Sequence, residues 1–350
     1  MKVKVINPEE KFSSIWRYSR NLCNVDQENI SVLDAYNEFN GINLIKREFK
    51  MEVDSYFGGV FLSKELGDEG YDILHYANQT ISPIKTKKIQ VVTVLDNPYV
   101  FLQSDVYSSF SATENNFKKH MKHNIVLVRR IFLKRNMNKY KEFENVLTNS
   151  NYVRKSLLEY GFTGNIETIY HPVAPYFKKL QNRIEIRNEL GLPNNKILLL
   201  SVSSNAMRKN LALIEKAMKI LPDNFALVRV GVPVGNSITF KNVSNEVLNK
   251  IYNACDVLLM PSIDEGLGLP IIEGFATGIP VVASDIEVFH EIGKDAVEYI
   301  NPLDVQSLID GIYNAVENKD KMISKADEIV PRFSFQIFKE KMLDYYKRIL

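Results

Sequence analysis

Two cysteines, Cys23 and Cys255, are all that the 350 residues contain. That is too few for a disulfide framework, and neither has metal-ligand spacing, so both read as small apolar residues of a reducing compartment. Long apolar runs are missing as well. Nothing approaches the roughly eighteen uninterrupted apolar residues of a membrane-spanning helix, and the opening MKVKVINPEE turns acidic too soon for a signal peptide. Low-complexity tracts are absent, as is an Asp-x-Asp metal motif, and the net charge of +2 predicts no acidic partner. These absences point to a cytoplasmic globular protein, with membrane contact limited to its surface.

What is present is a regular alternation of apolar runs and amphipathic helical patterns, the signature of βαβ units around parallel sheets. The chain is also longer than one core usually holds, so two domains are expected. Residues 2–6, 72–77, 91–95 and 145–150 are the strand candidates of the first half; 196–203, 225–231, 256–261 and 279–284 are those of the second. The later runs are apolar throughout, as strands covered by helices on both faces should be. A proline-rich stretch at 169–196 separates the two series. The resulting division is 1–174 for the first domain and 175–333 for the second, with 334–350 a closing helix that must dock on something. Its apolar residues Phe335, Ile337, Phe338, Met342, Tyr345, Tyr346 and Ile349 fall at helical spacing.

The chemistry concentrates at 261–284, PSIDEGLGLPIIEGFATGIPVVAS. A strand delivers the chain to a loop in which Gly266 and Gly268 permit tight turns and close backbone approach. Pro270 suits the first turn of the next helix, whose exposed amides suit a diphosphate. Glu265 lies in the loop and Glu273 one turn into the helix, placing them to reach two ends of one bound molecule. Farther back, Arg208 and Lys209 sit before a helix, where a cation is disfavoured unless an anion joins it.

This stretch resembles the E-x7-E region of retaining nucleotide-sugar glycosyltransferases, above all glycosyltransferase family 4 with its two-domain GT-B fold. Other segments resemble the family in the expected order: 199–218, 242–262, the run from 145 to about 173, and the closing helices. The resemblance implies an α/β protein of two Rossmann-like domains facing a central cleft, with the last helix crossing back to the first domain. The second domain would bind the donor and the first the acceptor. Glu265 would contact hydroxyls of the donor sugar and stabilise positive character near the anomeric carbon, and Glu273 would take the ribose hydroxyls. Gly266, Leu267, Gly268 and Leu269 would line the sugar and diphosphate, Arg208 and Asn210 would help hold the donor phosphates, and Lys209 would neutralise the leaving phosphate. Ser203 and Ser204 stand where the family carries a Gly-Arg pair. The reaction implied is transfer of a hexose from a nucleotide-diphosphate sugar to a glycan or lipid-linked acceptor, with no metal and no cofactor.

The first half departs from the family. Ser13 and Ser14 replace the glycines of its first loop, although Arg17 and Tyr18 match. Leu95 stands where the family histidine would be, leaving Asp96 at the strand end as a catalytic candidate. His75 is either a cleft residue that stands in for that histidine or a satisfied core histidine. Residues 118–141 hold nine Lys or Arg and no acid. With Met121, Ile125, Val128 and Phe132 on one face, they read either as a helix for an anionic membrane surface or as an ordinary helix packed on the core. Nucleic acid is not expected. Two further readings use the same fold: a nucleotide-sugar epimerase, and a nucleotide-sugar-binding subunit without transfer activity.

Overall fold

The structure is a computed structural model that describes residues 1–7, 14–34, 66, 70–78, 83–97 and 140–350. The chain divides into two units: unit 1 comprises Met1–His171 and Gln336–Leu350, and unit 2 comprises Pro172–Phe335.

Unit 1 is built on six parallel strands: β1 (Val3–Asn7), β2 (Ile30–Asp34), β3 (Ile73–Tyr76), β4 (Ile89–Val94), β5 (Asn145–Thr148) and β6 (Asn165–Thr168). Their order is β2-β1-β3-β4-β5-β6, and register is in step across the centre, Val5 facing Val32 on one side and His75 on the other. Helix α1 (Ser14–Val25) follows β1, and α2 (Asn151–Glu159) follows β5 with Ser150 as its cap, the Ser150 hydroxyl accepting from the Val153 amide at 3.1 Å. Leu74, Tyr76, Val92, Val94, Val146 and Phe162 form one core of this unit.

Unit 2 carries β7 (Ile197–Val202), β8 (Phe225–Val230), β9 (Ile238–Phe240), β10 (Val257–Met260), β11 (Val281–Ser284) and β12 (Val297–Ile300). All are parallel, in the order β9-β8-β7-β10-β11-β12. The intervening helices are α3 (Arg183–Glu189) before β7, α4 (Leu211–Met218), α5 (Asn245–Ala254), α6 (Leu269–Thr277), α7 (Glu287–Gly293), α8 (Val305–Glu317) and α9 (Lys319–Ile329). One face of the sheet, with Leu199, Leu227, Leu259 and Val282, packs against Leu213 and Ile214 of α4 and Leu308 and Ile312 of α8. On the other face α6 lies so close that a Cβ at Gly274 would stand 3.1 Å from Leu258 and 3.2 Å from Val281. Helices on both faces explain why these strands are apolar without alternation.

The last helix, α10 (Phe335–Ile349), buries Phe338, Met342, Tyr345 and Tyr346. This i, i+4, i+7, i+8 stripe joins unit 1. Phe338 meets the ring of Tyr18 edge-on at 6.2 Å, and Arg348 pairs with Glu167 at 2.7 Å. Ile337, although apolar, faces outward. Of the basic run 118–141, all but its last two residues lies outside the described residues; Tyr140–Glu142 is a short 3-10 turn. Among the described residues no helix is long and apolar enough to cross a membrane.

Candidate functional site

Parallel α/β sheets bind ligands at the carboxyl ends of their strands, where the strand order reverses. In unit 2 that point lies between the paired strands β7 and β10. The loops leaving these two strands carry the residues singled out in the sequence. Residues 203–210 follow β7 and residues 261–268 follow β10, and the backbone joins them where the Ile263 amide donates to the Arg208 carbonyl at 2.8 Å.

Glu265 is the centre of the cluster. Its side chain is 6% exposed. One carboxylate oxygen accepts from Arg208 Nη1 at 2.7 Å, while the other accepts from Lys209 Nζ at 2.5 Å and from Ser262 Oγ at 2.8 Å. Arg208 Nη1 also donates to the Asp264 carbonyl at 3.0 Å. Burial by itself raises a carboxyl pKa. Here the Lys209 ammonium, the Arg208 guanidinium and the hydrogen bonds from Lys209 and Ser262 outweigh that effect and hold Glu265 at about 2. It is therefore a permanent carboxylate near neutral pH, able to accept hydrogen bonds and to stabilise positive charge but not to donate a proton.

Gly268 caps α6 with φ of +92°, and a Cβ there would stand 2.7 Å from the Phe289 ring. Both the backbone angle and the space therefore require glycine. Leu269 and Pro270 open the helix; Pro270 has no N–H to satisfy, and the Ile271 amide donates to the Gly268 carbonyl at 2.9 Å. Glu273, also buried, accepts a hydrogen bond at 2.6 Å from the hydroxyl of Tyr252 on α5. Gly266 and Leu267 are buried within the loop. Asn210 adopts a left-handed conformation before α4, and its Nδ2 donates to the Pro302 carbonyl at 2.8 Å.

Ser203 is half-buried and Ser204 exposed. The guanidinium of Arg229, on β8 and fully buried, holds this loop: Nη2 donates to the Ser203 carbonyl at 2.5 Å, to Ser203 Oγ at 3.1 Å and to the Ser204 carbonyl at 3.4 Å. Nη1 donates to the Ser201 and Val230 carbonyls at 2.9 and 2.7 Å. Burial with neutral partners alone pushes Arg229 down to about 10. Gly231 makes room, since a Cβ there would lie 2.5 Å from the Ser203 carbonyl oxygen. Arg229, Ser262 and Tyr252 were not singled out in the sequence. For Arg229 the signal was available: a guanidinium inside the apolar run FALVRVG, followed by glycine, must find acceptors at the strand end.

The structure thus brings Arg208, Lys209 and Glu265 together beyond β7 and β10, with Ser203 and Asn210 in the loop after β7, Gly268 closing the loop after β10, and Glu273 one turn into α6 against Tyr252. The first-half candidates lie in unit 1. Ser13 is outside the described residues, and Ser14 opens α1, which also carries a half-buried Arg17. Asp96 follows β4, half-buried, next to Leu95, whose carbonyl accepts from Asn149 Nδ2 at 2.9 Å. The reading of His75 as a cleft residue is corrected. Its side chain is fully buried, Nδ1 meets the Tyr346 hydroxyl at 2.5 Å, and Nε2 meets Thr93 Oγ1 at 2.7 Å. With both ring nitrogens engaged in the core, it is a satisfied structural histidine whose burial pushes it down to about 3. Among the described residues no group of three His, Cys, Asp or Glu could hold a metal ion.

Residues 182–329 match the family model of Glycosyl transferases group 1. Over 199 residues the chain is 28% identical to the O-antigen chain mannosyltransferase RfbU of Salmonella typhimurium, covering 52% of this chain and 56% of that one. It is 28% identical over 160 residues to TuaC of Bacillus subtilis, a putative teichuronic acid biosynthesis glycosyltransferase, covering 43% and 41%. The matches therefore span about half the length of these curated relatives. In fold, the chain is similar to WaaG, a glycosyltransferase involved in lipopolysaccharide biosynthesis, with a TM-score of 0.73, 14% identity, and 98% and 99% of the two chains covered. It is also similar to HepE of Anabaena, solved in complex with UDP and glucose, with a TM-score of 0.71, 14% identity, and 99% of each chain covered. The fold is the GT-B type of glycosyltransferases, and residues 182–329 carry the likeness to the group 1 glycosyl transferases.

Proposed function

We propose that the chain is a retaining, metal-independent glycosyltransferase that moves a hexose from a nucleotide-diphosphate sugar to a hydroxyl of a glycan or lipid-linked acceptor. The observation that carries this reading is the ion cluster of Glu265 with Lys209 and Arg208 beside the amino end of α6. In the reaction the bond from the anomeric carbon to the diphosphate breaks and its electron pair leaves with the phosphate. The acceptor oxygen bonds to that carbon, and its proton balances the charge of the released nucleoside diphosphate. Charge therefore builds on the diphosphate, where fixed cations and amides lower the barrier most. Lys209 has three donors, of which Glu265 takes one, so its ammonium can bridge carboxylate and phosphate. Glu265, held ionised, accepts from sugar hydroxyls and faces the developing positive charge. Glu273, steadied by Tyr252, would take the ribose hydroxyls.

The names of the relatives support the substrate class: a mannosyltransferase of O-antigen chains, and a fold neighbour solved with UDP and glucose. The reaction is assigned to the cytoplasm, and contact with an anionic membrane surface rests on the nine basic residues of 118–141 alone. The test is transfer of labelled hexose to a supplied acceptor extract, with donor binding by calorimetry. Glu265→Ala and Lys209→Ala are expected to lower transfer about 10²-fold or more. Full activity in both would remove the site assignment. Donor binding without turnover under every acceptor would identify a binding subunit instead.

A further inference from the structure

A cavity of about 270 Å³ lies at the other end of the unit 2 sheet. Asn253 and Cys255, which precede β10, and Ile279 and Pro280, which precede β11, line it. In a parallel sheet these positions are the amino ends of the strands, so the cavity and the Glu265 cluster are on opposite edges.

Three cations line the cavity, Lys179, Arg183 and Lys319, and no carboxylate does. Lys179 is spoken for: its ammonium pairs with Asp327 at 2.7 Å, and its stem crosses Gly278, where a Cβ would come within 2.9 Å of it. There it also complements the carboxyl end of α6. Arg183 pairs with Asp256 at 2.8 Å, and Arg187 takes the other oxygen of the same carboxylate at 2.7 Å. One carboxylate thus serves two guanidinium groups. Lys319 is left over. It opens α9, a position where a positive charge is unfavourable, and among the described residues no carboxylate pairs with it within 4.0 Å. Burial, followed by repulsion from Arg183, lowers its pKa, although Asp256 and Asp320 act through space in the other direction. The rest of the wall is partly apolar, with Leu180, Ile279 and Ile323. The chemistry is that of a pocket for a doubly charged head on a small neutral body.

We propose that this cavity is a second ligand site, taking the phosphoryl group of a small phosphomonoester between Lys319 and Arg183. Tyr252, which bonds Glu273, also lines the cavity, but neither Lys319 nor Arg183 belongs to the donor loops, so the site does not rest on the transferase reading. Its volume is at the small end of metabolite pockets, which suits a sugar phosphate and not a nucleotide sugar. A dianion there removes the mutual repulsion of the two cations and meets the amino end of α9.

The experiment is calorimetric titration of the full chain with glucose 6-phosphate, with glucose as the uncharged control. Wild type and Lys209→Ala are expected to bind glucose 6-phosphate equally, and glucose to give no heat. Lys319→Met is expected to weaken binding about tenfold and Lys319→Glu to abolish it, as follows for loss and reversal of one charge-assisted contact. Both variants change a half-exposed first-turn residue, and unchanged melting temperatures verify the fold. Equal binding in Lys319→Glu, loss in Lys209→Ala instead, or no binding by wild type at about 10 mM each overturns the proposal; that concentration corresponds to only about 3 kcal/mol of affinity. A failed transfer assay leaves these outcomes untouched, so the two readings fail separately.

Discussion

At the scale of single residues, the two acids of the E-x7-E spacing are held by unlike means. Glu265 is neutralised by two cations, and Glu273 is held by a neutral phenol. The first arrangement keeps a charge in place at the proposed reacting centre; the second fixes an orientation. His75 shows the opposite use of burial. Thr93 Oγ1 is shared between the His75 ring and the Tyr18 hydroxyl, which lies 2.9 Å away. A neutral imidazole fits two hydroxyl partners in either tautomer, whereas an imidazolium would need both to accept. With a folded pKa of about 3 against 6.5, the unfolded chain binds the extra proton between those values. Stability from this group is complete above pH 6.5 and is lost as pH falls toward 3. At pH 5 the loss is about 2 kcal/mol. Trp16, the chain's only tryptophan, lies on α1 of unit 1 and reports its unfolding. Urea titrations followed at Trp16 at pH 7.5 and 5.0 should show that loss in wild type, and His75→Gln should lack it. An equal pH response in both proteins would remove His75 as the cause.

At the scale of elements, legibility followed burial. The strands β7, β8, β10 and β11 were readable because both of their faces are covered and their sequences are continuous apolar runs. β9 and β12 were not, since ITF is a three-residue edge strand with no buried residue and VEYI buries only its ends. β2 has a similar half-buried pattern. Side-chain partners across strands were also out of reach: nothing local says that Arg229 of β8 binds the loop after β7, because register is a tertiary property. The glycine of the β10 loop was legible in kind, but its reason was not. Phe289, from the next helix, fills the space that a Cβ at Gly268 would need. Gly268→Ala should therefore cost about 3 kcal/mol, combining left-handed strain and overpacking. Phe289→Leu in the same chain should recover part of that cost by relieving the contact while leaving the strain. Denaturant midpoints of the two singles and the double would show it, and strict additivity would deny the contact.

At the scale of the whole molecule, the chain's ends share a unit while its middle forms another. Every residue of the proposed donor cluster, from Ser203 to Glu273, lies in unit 2, whereas α10 supplies Phe338, Met342, Tyr345 and Tyr346 to unit 1. Deleting 336–350 removes four large buried side chains, at about 2 kcal/mol each. That sum is comparable with the entire stability of a domain. The deletion should abolish the cooperative Trp16 transition and with it the proposed hexosyl transfer. Donor binding measured by calorimetry should survive within about threefold, because it draws on strands, loops and helices that α10 does not complete. Loss of both signals together would mean that unit 2 does not hold its site alone. Retention of the Trp16 transition would mean that the stripe on α10 is dispensable to the core it fills, contrary to what burial of those four side chains requires.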